Sequence, residues 1–283
     1  GVLMVQTFPI SACPKALCVH TWLARLTKLN KNIIESDITD VEIDINLDIE
    51  KLKQSLLNQM EIHKPVGWQT KDTSVNFYKS LSITSNPNHQ DDIDENVSSI
   101  GTPKNSTGEF YYNQIKNHKF LRDSYYDTYG FTKLTDIAKQ GELGKLISKI
   151  KRTIIRSRIS TIEGSSVPID NETGWHRDES IFINLRLNIP ITTSDEFFFE
   201  MKDVKPYNLK LGKLYSWDTN IPHRVSSHTT TDNNRTHLVI GVSPWYDYNK
   251  VSNAWTPNEF FGKKHPFDML YDGDIISNDI FNT

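Results

Sequence analysis

Apolar and polar residues alternate in short runs through the second half of the chain. Five runs rich in β-branched and aromatic residues are Ile154–Ile162, Ile181–Ile191, Phe197–Met201, Lys213–Trp217 and His237–Val242. Turn-forming residues such as Gly164, Pro206 and Gly212 lie between them, and no long helical pattern interrupts them. This pattern is typical of antiparallel sandwiches and barrels. We therefore predict a mainly β fold with flanking helices, whose core over 152–245 is a double-stranded β-helix, the jelly roll of cupin-like proteins.

The first half of the chain has a mixed pattern. Apolar residues alternate with acidic ones over Ile38–Ile49, which predicts a strand or an extended arm, and Asp48–Met60 has helical spacing. Phe77–Thr84 predicts a strand, and Leu134–Ile150 predicts one helix with a broad apolar stripe. The polar stretch 86–107 predicts a long loop, for which a lid over a binding site and an insertion without a role are both open interpretations.

The length of 283 residues is near the upper limit for one hydrophobic core. We predict a single catalytic domain with elaborations at both ends. An N-terminal extension of helices and strands covers residues 1–110, and helical support follows over 111–151. The jelly-roll core occupies 152–245, and a C-terminal extension completes the chain over 246–283.

Composition narrows the class of protein. The net charge is −3 and no basic stripe runs along the chain, which argues against a nucleic-acid partner. The only cysteines, Cys13 and Cys18, cannot staple a domain of this size, which suits a reducing compartment. No secretory signal pattern and no apolar run long enough to span a membrane is found. We expect a cytoplasmic protein without a membrane partner, and its oligomeric state stays open.

A histidine and an aspartate two residues apart form the first part of a candidate metal site. On a strand, His176 and Asp178 would point to the same face, while Arg177 would face away. His223 follows another predicted strand and can supply a third ligand. Two imidazoles and one carboxylate leave open positions on an octahedral metal, the pattern of ferrous oxygenases. The alternative is a local surface pair of His176 and Asp178, with His223 capping a loop.

Arginines in the predicted strands are candidates for binding a carboxylate. Arg235 opens the strand that follows His223, which predicts that it lies on a strand next to the one delivering this ligand and points inward. Arg186 is a second inward candidate. The planar guanidinium binds carboxylates bidentately and stays charged. His237 lies on the same strand face as Arg235, where it can orient a cosubstrate or serve as a core histidine.

Several fragments together resemble the aspartyl/asparaginyl β-hydroxylase branch of the 2-oxoglutarate and iron(II)-dependent oxygenases. They are His176-Arg177-Asp178, the strand motif Asn184–Pro190, Trp217-Asp218 followed by His223-Arg224-Val225, and Arg235–Ile240. The resemblance covers about residues 152–245. Asp178 is present here, although some members of this branch lack a carboxylate at that position.

The resemblance implies ferrous iron, 2-oxoglutarate and dioxygen as cofactors, and hydroxylation of an aliphatic C–H bond with release of succinate and carbon dioxide. It places His176 and His223 on the iron, Arg235 on the distal carboxylate of 2-oxoglutarate, and Arg186 in contact with the cosubstrate. Asn188 stands where the branch often has a histidine, which puts it among the cosubstrate residues. The family's range implies a small-molecule or peptidyl substrate.

Residues that face the substrate are harder to predict. Arg156 and Arg158 alternate with apolar residues on one predicted strand and can anchor an anionic group. Trp175 can form a wall of the pocket and Tyr125 its rim. A structural role is the alternative for all four residues.

Two other functions remain possible at this point. A cupin-like metal-binding protein or isomerase would share the fold and the metal ligands, but it would not need a carboxylate-binding Arg235. A nucleic-acid demethylase of the same superfamily is disfavoured by the mild negative charge.

Overall fold

The computed structural model describes residues 40–63, 66–67, 78–85, 131–164, 175–227, 229–252 and 254–281. Its strands are β1 (Asp40–Asp44), β2 (Val66–Gly67), β3 (Tyr78–Ser82), β4 (Thr84–Ser85), β5 (Lys133–Leu134), β6 (Ile154–Ile162), β7 (Leu185–Thr192), β8 (Phe197–Met201), β9 (Lys213–Trp217), β10 (His223–Ser227), β11 (Arg235–Val242), β12 (Tyr246–Asn249) and β13 (Ala254–Pro257). The α-helices are α1 (Ile49–His63), α2 (Gly141–Ser148) and α3 (Pro266–Tyr271), and short 3₁₀ helices cover Ile137–Lys139 and Asn278–Ile280.

Two antiparallel sheets form the centre of the fold. The large sheet has seven strands in the order β1-β9-β7-β11-β6-β3-β2, and the small sheet pairs β10 with β8. From β6 onward the chain alternates between them: β7, β9 and β11 lie in the large sheet, and β8 and β10 lie in the small one. This alternation defines a double-stranded β-helix. The predicted fold class, mainly β with flanking helices, is confirmed.

The large sheet is buried on both faces. On β11, Leu238 and Ile240 belong to the main core, in which apolar residues of α1, α2 and α3 also pack. The opposite face, which carries Ile162 of β6 and Trp217 of β9, belongs to a second cluster that it shares with β8 and β10. Successive residues of a strand point to opposite faces, so each strand serves both cores. The face of the large sheet that points toward the small sheet is therefore the inner wall of the jelly roll.

The C-terminal segment packs into the main core. Trp255 and the α3 residues Phe267 and Leu270 are buried there. Two isolated bridges, Ile45 with Phe281 and Ile150 with Ile276, join the same segment to earlier parts of the chain. The boundaries predicted at 110, 151 and 245 stay predictions, but the described part of 246–283 is integral to the core.

The single helix predicted over Leu134–Ile150 is wrong. The structure has a short strand, a 3₁₀ turn and the eight-residue α2 over this range. Gly141 adopts a φ of +55°, and Gln140 before it is extended, so the backbone breaks between the two helical pieces. Glycine adopts this left-handed conformation without steric cost. It therefore permits a break in the helix, although apolar residues at helical spacing continue on both sides.

Gly241 of β11 marks a close approach between strands. A β-carbon on Gly241 would lie 2.5 Å from the backbone oxygen of Ile155 and 2.6 Å from Oδ1 of Asn184. We expect Gly241→Ala to lower the free energy of unfolding by about 1–3 kcal/mol, because the rigid strand backbone must shift. Urea denaturation measures this loss.

Gly212→Ala is the matched control for crowding. Gly212 has a φ of +74° and nothing within 4 Å of its added β-carbon, so only backbone strain of about 1 kcal/mol is expected. A smaller loss at Gly241 than at Gly212 would contradict the predicted crowding.

Among the described residues, no helix is long and apolar enough to cross a membrane.

Candidate metal centre

His176, Asp178 and His223 converge at one end of the small sheet. Their ligand atoms all lie within 4.8 Å of one another. Oδ2 of Asp178 is 3.4 Å from Nε2 of His223 and 3.9 Å from Nε2 of His176. The His223 side chain is buried and those of the other two are partly exposed, so the cluster lies at the mouth of the fold. The predicted metal ligands are therefore brought together.

Backbone contacts hold the two histidines side by side. The amide of His176 donates to the carbonyl of His223 at 3.1 Å, and the amide of His223 donates back at 3.0 Å. The amide of Asp178 donates to the carbonyl of Thr219 at 2.9 Å. His176 thus forms an isolated bridge rather than part of a long strand. This bridge brings two ligands that are distant in sequence to one point.

The orientation of the His223 ring leaves a lone pair for a metal. Its Nδ1 is 2.9 Å from the carbonyl oxygen of Ile221. A carbonyl only accepts, so Nδ1–H is the donor of this hydrogen bond, and Nε2 is the ring atom available to a metal. That atom faces the Asp178 carboxylate. Two imidazole nitrogens and a carboxylate are a donor set that fits a divalent metal with open positions.

Asp178 is held in its charged form. Burial raises the pKa of its carboxyl group, but the neighbouring Arg186 guanidinium and the two histidines outweigh this and hold the pKa well below its usual range. Nη1 of Arg186 donates to Oδ2 of Asp178. A carboxylate that stays ionised across the physiological range is suited to bind a cation.

Glu179 is a charged residue of the site that the sequence analysis missed. Its carboxylate accepts from Nη2 of Arg186 at 2.7 Å and from Nη1 of Arg156 at 3.0 Å. The Glu179 side chain is only 10% exposed, and buried acids need such partners. The one available signal was the consecutive pair Asp178-Glu179 with arginines on nearby predicted strands.

Arg235 and His237 lie on the inner wall, but the neighbours of their strand differ from the prediction. Arg235 lies opposite Ile162 of β6, and directly opposed residues share a face, so it faces the space between the sheets. The prediction that its strand adjoins the one delivering His223 is wrong. β11 lies between β6 and β7 in the large sheet, whereas β10 pairs with β8, because the chain changes sheets between consecutive strands.

The contact between Arg235 and His237 defines the histidine's protonation. Nη2 of Arg235 is 3.2 Å from Nδ1 of His237, and a guanidinium can only donate. Burial and the charge of Arg235 lower the pKa of His237 well below its ordinary value. The ring is therefore neutral with its proton on Nε2, and this buried N–H has no hydrogen-bond partner in the described part of the chain.

Three more hydrogen-bond donors on the inner wall lack partners among the residues that the structure describes. They are Nδ2 of Asn188, Nη1 of Arg158 and Nε1 of Trp217. Asn188 and Arg158 both lie opposite Val239 of β11, and the Trp217 ring is 5.9 Å from that of His223. Buried donors without partners are rare and costly. A group of them with no matching acceptor indicates a site for an anionic ligand.

The other predicted substrate residues separate in the structure. Arg156 contacts Glu179, whereas Arg158 lies on the inner wall. Trp175 is 50% exposed, and the Arg224 guanidinium lies 4.8 Å from its ring centre. Tyr125 lies outside the described residues, as does the loop predicted over 86–107. Of the three that the structure describes, Arg158 alone lies on the inner wall.

The buried histidine makes stability depend on pH. The pKa of His237 is lowered in the folded protein, so below pH 6.5 the unfolded chain binds a proton that the folded chain does not. The free energy of unfolding should therefore fall as the pH decreases, by up to about 1.4 kcal/mol per pH unit for this residue. Urea denaturation of the metal-free protein at pH 7.5 and 5.5 measures the change.

Comparison with His237→Gln isolates this contribution. The pKa of His265 is also lowered by burial, so part of the pH dependence remains in the variant. An identical loss of stability in wild type and variant would contradict the assignment.

Comparisons with known proteins give structural similarity only. No family model matches the chain, and no curated protein matches it. The carbocyclase SnoK of nogalamycin biosynthesis, a non-haem alpha-ketoglutarate-dependent enzyme, is 10% identical with a TM-score of 0.39, over 92% of this chain and 95% of that one. A 2OG-Fe(II) oxygenase family oxidoreductase from Burkholderia pseudomallei is 14% identical with a TM-score of 0.35, over 76% and 89%.

A prolyl-4-hydroxylase from Pseudomonas putida is 7% identical with a TM-score of 0.34, over 77% of this chain and 97% of that one. At such values, the function has to be inferred from the residues of the site.

Proposed function

We propose that the protein is an iron(II)- and 2-oxoglutarate-dependent dioxygenase that hydroxylates an aliphatic C–H bond. The observation that carries this proposal is the pairing of two features in one interior. Two imidazoles and a carboxylate converge where they can hold a metal, and the inner wall presents hydrogen-bond donors that have no acceptor among the described residues. A metal site with open positions beside a set of donors suits a cosubstrate that chelates iron at one end and carries a second carboxylate at the other.

The chain would supply the geometry of the reaction. His176, Asp178 and His223 would hold ferrous iron, and Arg235 would bind the distal carboxylate of 2-oxoglutarate. The Nε2–H group of His237 would donate a hydrogen bond to the same carboxylate ligand. When bound together, iron, 2-oxoglutarate and dioxygen supply the oxidation: one oxygen atom enters succinate as carbon dioxide leaves, and the other enters the substrate as a hydroxyl group.

The interior keeps this chemistry away from bulk water. Phe199 and Trp217 pack with ring centres 4.2 Å apart, and each lies 5.9 Å from the His223 ring. Both aromatic residues are buried. A dry, shaped pocket strengthens the electrostatic contacts of the ligand and limits side reactions.

The substrate we propose is amino-acid-like or peptidyl and carries an anionic group. Arg158 supports this, because it is buried on the inner wall and its Nη1 has no hydrogen-bond partner among the described residues. Asn188 lies opposite Val239, as Arg158 does, and can contact the cosubstrate or the substrate. The motif resemblance favours the aspartyl/asparaginyl β-hydroxylase branch, and a cytoplasmic location stays part of the proposal.

A cupin-like metal protein without 2-oxoglutarate turnover is the second candidate. It is favoured by the metal ligands alone, since these do not require a cosubstrate. The buried Arg235 argues against it, because a guanidinium on the inner wall is suited to bind the carboxylate of a ligand.

Anaerobic titration with iron(II) and then 2-oxoglutarate tests the proposal. A weak visible charge-transfer band should appear only when both are present, and admission of air should release succinate. A band-free titration with no succinate would eliminate the dioxygenase. Metal binding without any effect of 2-oxoglutarate would favour the cupin-like alternative.

A further inference from the structure

Four charged side chains of alternating sign extend from the metal site into the large sheet. Asp178 contacts Nη1 of Arg186, whose Nη2 lies 2.7 Å from Oε2 of Glu179. Oε1 of Glu179 lies 3.0 Å from Nη1 of Arg156. The four side chains are between 3% and 16% exposed. Their formal charges cancel, so this group of four side chains is neutral.

We propose that Arg186 and Glu179 are positioning residues, which orient the Asp178 carboxylate for the metal. One guanidinium spans two carboxylates, and its planar donors hold both in defined directions. Glu179 in turn keeps Arg186 in place, because a buried carboxylate needs a charged partner. Ligating carboxylates often depend on such outer contacts. The inference rests on the proposed metal site and extends it to residues that do not touch the metal.

This role differs from the contact with 2-oxoglutarate expected for Arg186. Two of its nitrogens already contact carboxylates of the protein. Gly241, which lies opposite Arg186 on β11, is six residues along that strand from Arg235. Arg186 therefore belongs to the metal end of the inner wall, and Arg235 to the other end.

Arg156, at the end of this group farthest from the metal site, has an unusual backbone conformation. Arg156 has a φ of +28° within β6, and the pairing of β6 with β11 shifts register between Val239 and Gly241 at the same level. Non-glycine residues adopt such φ values only where the surroundings enforce them. The strain coincides with the contact to Glu179, which indicates that the large sheet anchors the orientation of Asp178.

Metal titration of Arg186→Met tests the role of Arg186. Anaerobic binding of cobalt(II), followed by its visible absorption, should weaken about 10- to 100-fold relative to wild type. At saturating iron, the KM for 2-oxoglutarate in succinate release should stay within about twofold, since a shift of that size is below 0.5 kcal/mol. Arg186→Lys, which keeps one charged donor, should recover part of the affinity.

Two further variants complete the test. Arg177→Ala is the matched control, because Arg177 lies between the same two ligands but is exposed, and its cobalt affinity should equal that of wild type. Glu179→Gln removes the second carboxylate with little change of shape, and it should weaken cobalt binding about tenfold. It provides the measurement if Arg186→Met does not fold.

The outcomes separate this inference from the proposed function. Unchanged cobalt affinity in Arg186→Met with a raised KM for 2-oxoglutarate would overturn it and restore the cosubstrate contact. Unchanged affinity in Glu179→Gln would also overturn it. A wild-type protein that binds no cobalt or iron would instead remove the proposed function, and the inference with it.

Discussion

His223→Ala should abolish metal binding and all succinate release. The substitution removes the most buried ligand and leaves one imidazole and one carboxylate. Loss of an outer contact alone costs metal sites about 10- to 100-fold in affinity, so loss of a ligand should cost more than about a hundredfold. Anaerobic iron(II) titration measures the affinity, and succinate release measures turnover.

The fold should survive this substitution, so that the loss can be attributed to the metal. His223 contributes its backbone to the bridge with His176, and alanine preserves these hydrogen bonds. His63→Ala is the control, because His63 is exposed at the end of α1. A His223→Ala protein that binds iron as tightly as the control would refute the metal centre.

Arg235→Ala should raise the concentration of 2-oxoglutarate needed for half-maximal succinate release by about 10- to 100-fold. Loss of hydrogen bonds to a charged group costs about 1.5–3 kcal/mol, and about 1.4 kcal/mol corresponds to a factor of ten. The affinity for iron should stay the same, because Arg235 lies in the large sheet and is not one of the three residues that can hold the metal.

Arg152→Ala serves as its control. Arg152 pairs with Asp247 at 3.2 Å, away from the inner wall, so its loss should leave the 2-oxoglutarate dependence unchanged. Equal requirements for 2-oxoglutarate in the two variants would contradict the role of Arg235 and favour a metal protein without this cosubstrate.

Much of the jelly roll could be predicted from residue patterns. The bounds of β6, β8 and β9 coincide with the predicted strands, because their β-branched and aromatic residues end at clear turn signals. The strand β10 was missed. Ser226 and Ser227 are polar and lack the β-branched or aromatic pattern of a strand, but both are buried, and Ser226 donates to Glu200. A polar residue with a buried partner is indistinguishable in sequence from one in water.

The candidate site was predictable only in part. The spacing of His176 and Asp178 by itself indicates a metal site, since two ligands that are two residues apart can point to the same face of a strand. The contacts of Arg186 with Asp178 and Glu179 arise because the chain turns back over residues 179–184 before β7 begins. Local periodicity cannot show such a reversal, nor can it show which sheet receives β11.

The division of the site between two sheets has a consequence for selectivity. The histidines lie at the end of the small sheet, and Arg235 extends from the large one. A molecule that contacts both the metal and Arg235 must span the distance between the two sheets. The packing of the sandwich would then select the length of its carbon chain. On the proposed function, oxaloacetate is one carbon shorter and 2-oxoadipate one carbon longer than the ligand that both ends bind, so both should replace 2-oxoglutarate poorly. Selection among oxo-diacids would thus be a property of the whole scaffold, set by the same apolar side chains that hold the two layers together.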